Sequence, residues 1–217
     1  FASSLSLLPI GKILVIGAAT SNRVCNEGIA RFAIHSNGTT VLKETVSGGT
    51  CRGASLATSD SYVVVGDPCS GSVGLYNATD LSLIKGITKI SDFGASVAIS
   101  ENGWVIVGLP WAKYAFIYQA TSAGLAAEIG IDGQTYSTFG QSVAISDNYA
   151  VVGDTASAGG MLRFISRGND NKWDTHQDEK FDGFDSTNLG TSLDINVDFV
   201  AFRYSATQFS FILRDSA

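Results

Sequence analysis

The three cysteines, Cys25, Cys51 and Cys69, are the residues with the most chemistry open to them. Two of them could form a disulfide bond in an oxidising compartment, whereas a cytosolic protein would keep all three reduced. A tetrahedral zinc site needs a fourth ligand, and no histidine lies close by in a metal-binding spacing. We therefore expect one disulfide bond and no zinc, with three free thiols as the alternative.

The other reactive side chains form no catalytic pattern. His35 and His176 are expected to be solvated surface histidines, and no GxSxG, HExxH or GxxxxGK[ST] motif is present. An acidic run could collect a cation, but its members are spread along one strand and the following link, so a solvated face is expected. The run consists of Asp174, Asp178, Glu179, Asp182 and Asp185. The sequence thus predicts a protein that is not an enzyme and has no cofactor and no metal.

The composition narrows the range of possible binding partners and cellular compartments. The net charge is −6, from 20 acidic and 14 basic residues among 217, which argues against nucleic acid as a partner. No apolar stretch approaches the roughly 20 residues needed to cross a bilayer. The chain opens at Phe1, so either a leader has been removed or the chain is a segment of something longer. Asn37 and Asn77 lie in glycosylation sequons. With a disulfide, these features favour an extracellular, cell-surface or oxidising lumenal location.

One phrase recurs along the chain. FGASVAIS begins at Phe93 and FGQSVAIS begins at Phe139, and three weaker copies share the central serine. The marker serines are Ser4, Ser55, Ser96, Ser142 and Ser192. Their spacing of 41 to 51 residues is typical of one supersecondary unit that is copied along the chain.

Each copy continues with an apolar run such as VVVG, then an alternating segment, and in four copies a further extended stretch. Val, Ile, Phe and Tyr dominate these stretches and Gly, Asp, Asn and Ser separate them, which predicts strands and hairpins with almost no helix. Four strands in a repeat of this length are typical of a β-propeller blade. We predict an all-β protein, a propeller of five four-stranded blades in which the last blade has only three strands, 19 in all. A β-sandwich or β-solenoid is the alternative fold.

The whole chain 1–217 is then one domain, with repeats near 1–49, 50–91, 92–137, 138–187 and 188–217. Five blades could close a small ring, or they could be five of seven blades with the rest outside this segment. We expect the closed ring.

The FGxSVAIS phrase followed by VVG resembles the FG-GAP repeat of integrin α-chain propellers, and more closely its calcium-free variant. In that variant a tryptophan follows the third strand, and Trp173 matches the position. The links between the first two strands span only two to four residues, too short to wrap calcium, so no calcium is expected there. Copies one and five depart from the pattern: Ala2 replaces the glycine of FG, and Arg203 stands where VVG has its glycine.

In propeller topology the loops between second and third strands and the links between blades emerge on one face. All three cysteines fall on that face, and the strands that carry Cys51 and Cys69 are neighbours. We therefore expect a Cys51–Cys69 disulfide, with Cys25–Cys51 as the alternative.

Four other residues are candidates for binding on the same face. Asp67 and Asp154 follow the glycine that ends a middle strand, and we expect them to cap turns. The alternative is that they line a shallow polar pocket with Trp111 and Arg203.

The propeller is expected to act as a non-enzymatic interaction or structural module, because its loops differ between copies while its strands do not. Its partner would be another protein or a larger assembly. A glycan-binding lectin is the alternative, although Trp111 has no counterpart in the other copies.

Overall fold

The computed structural model describes eleven segments of the chain: 4–8, 13–18, 28–34, 39–47, 51–133, 138–155, 160–168, 170–182, 189–195, 199–203 and 209–213. In these residues there are 19 strands and one short 3-10 turn at Pro110–Ala112. The strands form five antiparallel sheets, four with four strands and one with three. The all-β prediction and the short last blade are confirmed.

Each sheet is one blade and lies inside one repeat of the sequence. Blade one holds β1 (Ser4–Leu8), β2 (Ile13–Ala18), β3 (Gly28–Ile34) and β4 (Thr40–Ser47). Blade two holds β5 (Ser55–Thr58), β6 (Tyr62–Asp67), β7 (Ser72–Asn77) and β8 (Leu83–Thr88). Blade three holds β9 (Val97–Ile99), β10 (Trp104–Leu109), β11 (Tyr114–Thr121) and β12 (Gly124–Asp132). Blade four holds β13 (Ser142–Ile145), β14 (Tyr149–Asp154), β15 (Met161–Arg167) and β16 (Trp173–Asp182). Blade five holds β17 (Leu193–Ile195), β18 (Phe199–Arg203) and β19 (Phe209–Leu213).

The first strand of every repeat is the inner strand. Along the chain, β1 contacts β5, β5 contacts β9, β9 contacts β13, and β13 contacts β17. Successive blades therefore converge along the strands that carry the repeated serine, as expected for a propeller.

The hydrophobic core is divided among the joints between blades. We call the side of a blade that contacts the next blade along the chain its front face, and the opposite side its back face. Between blades one and two, for example, Val15 and Ile29 of the first front face pack with Val63, Val65 and Tyr76 of the second back face. Three further clusters fill the other joints in the same way. Because each middle strand is covered on both sides, β6 and β10 are apolar on both sides.

A repeated polar contact accompanies this packing. In blades one to four, the marker serine donates a hydrogen bond from its Oγ to the carbonyl oxygen of the FG-type glycine in the next blade. The four bonds run from Ser4 to Gly53 (2.8 Å), Ser55 to Gly94 (2.7 Å), Ser96 to Gly140 (2.8 Å) and Ser142 to Gly190 (2.5 Å). The acceptor glycines all have positive φ, between 84° and 94°, a conformation that favours glycine. Two letters of the repeated phrase, the glycine and the serine, are thus explained by one joint.

The glycine of VVG completes the joint. At Gly108, a Cβ would overlap the carbonyl oxygen of Gly140 and the hydroxyl of Ser96, and the equivalent glycines of blades one, two and four are equally crowded. This position therefore needs a residue without a side chain because the backbone of the next blade lies directly against it.

The closing joint between blades five and one is not formed by the described residues. Leu5 and Leu7 on the back face of β1 are 62% and 55% exposed, whereas Val143 and Ile145 at the same positions of blade four are 7% and 5% exposed. The closed ring therefore stays a prediction of the sequence.

Candidate interaction face

In blades two, three and four, the link that leads into the blade is bonded to a loop of that same blade. In each case the bond involves the link residue that lies four positions before the marker serine. These residues are Cys51, Asp92 and Thr138. The loop in each case joins the second and third strands of the same blade. Each blade makes this connection with a different chemistry.

In blade two the connection is covalent. A disulfide joins Cys51 and Cys69, with their Cα atoms 5.4 Å apart. Asp67 is only 3% exposed, and its carboxylate accepts hydrogen bonds from the backbone N–H of Cys51 (3.2 Å) and from the backbone and hydroxyl of Ser70 (3.3 and 3.0 Å). The pairing is the one preferred from the sequence, and Cys25 of the alternative pairing lies outside the described residues.

In blade three the corresponding connection is a hydrogen bond to a carboxylate instead of a disulfide. Trp111 occupies the position of Cys69, because GLPWAK aligns with GDPCSG, and Lys113 and Gly71 share the left-handed conformation at φ of 63° and 61°. The backbone N–H of Trp111 donates to Asp92 Oδ2 at 2.9 Å. The turn is held from its backbone, so the indole is left 83% exposed.

In blade four, Thr138 makes the connection. Its backbone N–H and its hydroxyl both donate to Asp154 Oδ1, at 3.2 and 2.6 Å, and Thr155 N–H donates back to the hydroxyl at 3.0 Å. Asp154 is fully buried. Asp67 and Asp154 thus make the side-chain to backbone bonds expected of turn caps, and their burial removes them from any surface pocket.

An open cleft of about 430 Å³ lies at the junction of blades three and four. It is lined by Ser91, Asp92, Pro110, Trp111, Thr138 and Gln141. Of the four residues proposed from the sequence as a binding face, the cleft contains Trp111 alone. The side chain of Arg203 lies outside the described part of the structure, although its backbone ends β18.

Sequence reasoning missed the polar members of the cleft, Asp92, Thr138 and Gln141. Aligning the residues before each marker serine would have placed Asp92 and Thr138 at the position of Cys51, which the sequence already assigned to this face.

Comparison with protein families identifies the repeat unit of blade four. Residues 129–161 match the family model described as FG-GAP repeat. This stretch runs from the end of β12 to the start of β15 and includes both the FGQS phrase and the VVG of blade four. The chain carries an FG-GAP repeat. A comparison with curated proteins finds no match.

FG-GAP repeats build propellers that take part in protein interactions, which fits the sheets observed here. Phe139, the phenylalanine of the FG-GAP phrase in blade four, is fully buried in the joint between blades three and four. The more specific likeness to integrin α-chains stays a prediction.

Of the remaining residues singled out in the sequence, Trp173 is buried in the joint between blades three and four, with its ring centroid 5.5 Å from that of Trp104. His176 lies in the outer strand β16, as do all but one member of the acidic run, and Asp185 is outside the described residues together with His35 and Asn37. Within the described segments, no group of three or more His, Cys, Asp or Glu side chains is placed to hold a metal ion. Asn77 ends β7, where its side-chain oxygen accepts the N–H of Thr79 at 2.7 Å.

Two tyrosines in the blades have raised pKa values. Burial raises the pKa of Tyr76, and the charge of Asp67 raises it further while Arg52 lowers it. Burial also raises the pKa of Tyr118, whose hydroxyl lies 3.1 Å from Glu128 Oε2, so that the negative charge of Glu128 disfavours the phenolate. Both tyrosines are therefore neutral at physiological pH and have a structural role. Over the described residues, no helix has the length and apolar character that a membrane span requires.

Proposed function

We propose that this propeller is a non-enzymatic interaction module of a cell-surface, secreted or lumenal assembly, and that it docks a protein partner around Trp111. The exposure of the Trp111 indole, 83% on a turn fixed by its own backbone, is the observation that carries the proposal. Tryptophan is enriched among the residues that dominate binding energy at interfaces.

The turn that carries Trp111 is already rigid, so little backbone conformational entropy is lost on binding. Pro110 is buried, Lys113 N–H donates to the Pro110 carbonyl at 3.0 Å, and Asp92 holds the Trp111 backbone. A side chain on a pre-organised turn pays less entropy when it binds, which supports its use as an anchor.

The cleft residues support recognition rather than catalysis. The Asp92 carboxylate already accepts the Trp111 N–H, and the Thr138 hydroxyl donates to buried Asp154. The Thr138 and Asp154 pair is committed to the turn, because Asp154 also accepts the Thr138 N–H and the Thr138 hydroxyl also accepts the Thr155 N–H, which favours a binding role.

The location outside the cytosol is proposed from the disulfide and the sequons. A disulfide such as Cys51–Cys69 persists in oxidising compartments.

The docking proposal is tested by affinity capture and cross-linking from the native source, with three versions of the chain as bait. The wild-type chain and the control Leu83→Ala, which removes another exposed apolar side chain, should retain the same partner. Trp111→Ala should lose it, with cross-links from the wild type mapping near residues 91–92, 110–111 and 138–141. Equal retention by all three baits would refute docking at Trp111.

A glycan ligand is the second candidate, and the cleft beside Trp111 is the observation that favours it. An exposed indole can cover the apolar face of a sugar ring while Asp92 and Gln141 bond its hydroxyls. On a glycan array, binding that disappears in Trp111→Ala and persists in Leu83→Ala would place a lectin ahead of the protein-docking proposal. An array without signal would leave protein docking as the better account.

A further inference from the structure

A continuous series of bonds joins the disulfide of blade two to the Trp111 turn of blade three. Pro68 lies next to Cys69, and its carbonyl oxygen accepts the backbone N–H of Asp92 at 2.7 Å. The Asp92 carboxylate accepts the backbone N–H of Trp111 at 2.9 Å. Asp92, in the link between the two blades, is therefore bonded to the turn of one blade through its backbone and to the turn of the next through its side chain.

The turn of blade two also packs directly against this link. The Gly71 carbonyl accepts the backbone N–H of Lys89 at 2.8 Å. A Cβ on Gly71 would overlap the carbonyl oxygen of Ile90, so the two backbones are in close contact. The position of the link therefore depends on the position of the turn.

The backbone conformation of Asp92 depends on these contacts. Its φ is 79°, a conformation that residues with a side chain seldom adopt. Such a conformation persists where the surrounding structure holds it in place. If the Pro68 carbonyl moves away, the φ of Asp92 can relax to a negative value. This rotation would carry the carboxylate away from the Trp111 N–H.

The disulfide fixes the turn that supplies the Pro68 carbonyl. Cys51–Cys69 joins this turn covalently to the link that leads into blade two. The hydrogen bond from the Cys51 N–H to Asp67 is a second connection from the same link, and at 3.2 Å it is at the long end of the usual range. The covalent bond is therefore the stronger restraint on the turn.

We propose that the Cys51–Cys69 disulfide holds Trp111 in its docking position through Pro68 and Asp92, so that reduction of the disulfide loosens the Trp111 turn. Asp92 is then a positioning residue for Trp111. The proposal rests on the proposed function, since it takes this position of Trp111 to be the one that binds. It makes docking sensitive to redox conditions, because the anchor is rigid only while the disulfide is intact.

A dithiol reductant can open the disulfide because Cys69 is exposed. One thiolate of the reductant attacks Sγ of Cys69, and Cys51 leaves as a thiolate, which gives a mixed disulfide. The second thiol of the reductant then displaces Cys69. The reductant ends as a disulfide, and the protein gains two electrons and two protons as two cysteine thiols.

The test is amide hydrogen exchange of the purified 217-residue chain, followed by NMR before and after treatment with dithiothreitol. After reduction the Asp92 and Trp111 amides should exchange roughly five- to tenfold faster, the factor expected when a hydrogen bond of average strength is lost. The Thr138 and Thr155 amides are the internal control, because side chains of blade four hold them. Their exchange rates should stay the same.

Two variants separate the steps of the series. Cys51→Ala with Cys69→Ala should show fast exchange at Asp92 and Trp111 without dithiothreitol and no change when it is added. Asp92→Gly can adopt a positive φ and keeps the N–H that bonds to Pro68, but it has no carboxylate. In this variant the Trp111 amide should exchange fast in both redox states, whereas the amide at position 92 should still respond to reduction.

Three exchange results would overturn the inference: no change at Asp92 and Trp111 on reduction, an equal rise at all four amides, or a Trp111 amide that still responds to reduction in Asp92→Gly. Exchange is measured without a partner, so these results leave the docking proposal to its own test with Trp111→Ala. Where the wild type captures a partner through Trp111, the variant without Cys51 and Cys69 should retain less of it. Equal retention would also overturn the inference.

Discussion

The hydroxyl of Ser96 donates a hydrogen bond to the carbonyl oxygen of Gly140, 2.8 Å away in the next blade. The donor and acceptor are 44 residues apart, and both belong to copies of the same phrase. Since the bond recurs at four joints, the repeated letters are the two halves of a contact that each blade makes with the next. The stability of the array should therefore respond sharply to small changes at these positions.

Gly108→Ala should destabilise the protein by at least about 3 kcal/mol, because the added methyl group overlaps the backbone of Gly140, which cannot move as a flexible side chain could. Ser96→Ala should cost less, about 1–2 kcal/mol, because it leaves a carbonyl without its partner but adds no overlap. Urea denaturation measures both. Gly86→Ala is the control, because the nearest atom to its Cβ would be 3.7 Å away. Equal stability of the Gly108 and Gly86 variants would contradict this account of the joint.

Reduction of Cys51–Cys69 should lower the free energy of unfolding by about 3 kcal/mol, as expected for a disulfide that closes a loop of this length, with a separation of 18 residues. Thermal unfolding with and without reductant measures the effect. The variant with both cysteines changed to alanine should show the reduced stability and no further response to reductant. Peptide mapping under non-reducing conditions should recover the Cys51–Cys69 peptide pair, and a pair containing Cys25 would count against the structure.

Asp154→Ala should destabilise the protein by about 2–4 kcal/mol, because the N–H and hydroxyl of Thr138 lose their buried acceptor. Denaturation in urea again gives the value. Asp60→Ala removes an exposed carboxylate in the turn between β5 and β6 and should change stability by less than about 0.5 kcal/mol. If the two substitutions cost the same, Asp154 does not hold the link in place.

The stability of the wild type should fall as pH rises above about 10, and Tyr118 should contribute to the fall. Its folded pKa is raised above the unfolded value, so the unfolded chain loses the phenol proton first and high pH favours unfolding. The contribution is fully present below the unfolded pKa and is lost at a slope of up to about 1.4 kcal/mol per pH unit. Tyr118→Phe should decline less steeply between pH values of about 10 and 12. Parallel pH profiles for the two proteins would exclude the proposed role of Tyr118.

Much of the architecture could be predicted from the sequence, because it depends on patterns that recur. The alternation of β-branched residues with turn residues predicted 19 strands, and the phase of the marker serines predicted which strands form each blade. The Cys51–Cys69 pairing could also be predicted from the sequence. It requires only that the link into blade two and the loop between its second and third strands lie on the same face of the propeller.

The tertiary structure alone decided what the glycine and serine of the repeat do and which candidate residues are exposed. The bond between Ser96 and Gly140 joins residues that look like two separate copies of a motif until the blades are placed side by side. The sequence predicted that Asp67 caps a turn and left open that it lines a pocket with Trp111, and the structure buries Asp67 as a cap and exposes Trp111 on a fixed turn. Strand patterns report on the local alternation of side chains, whereas burial and exposure depend on which neighbouring blade lies against each face.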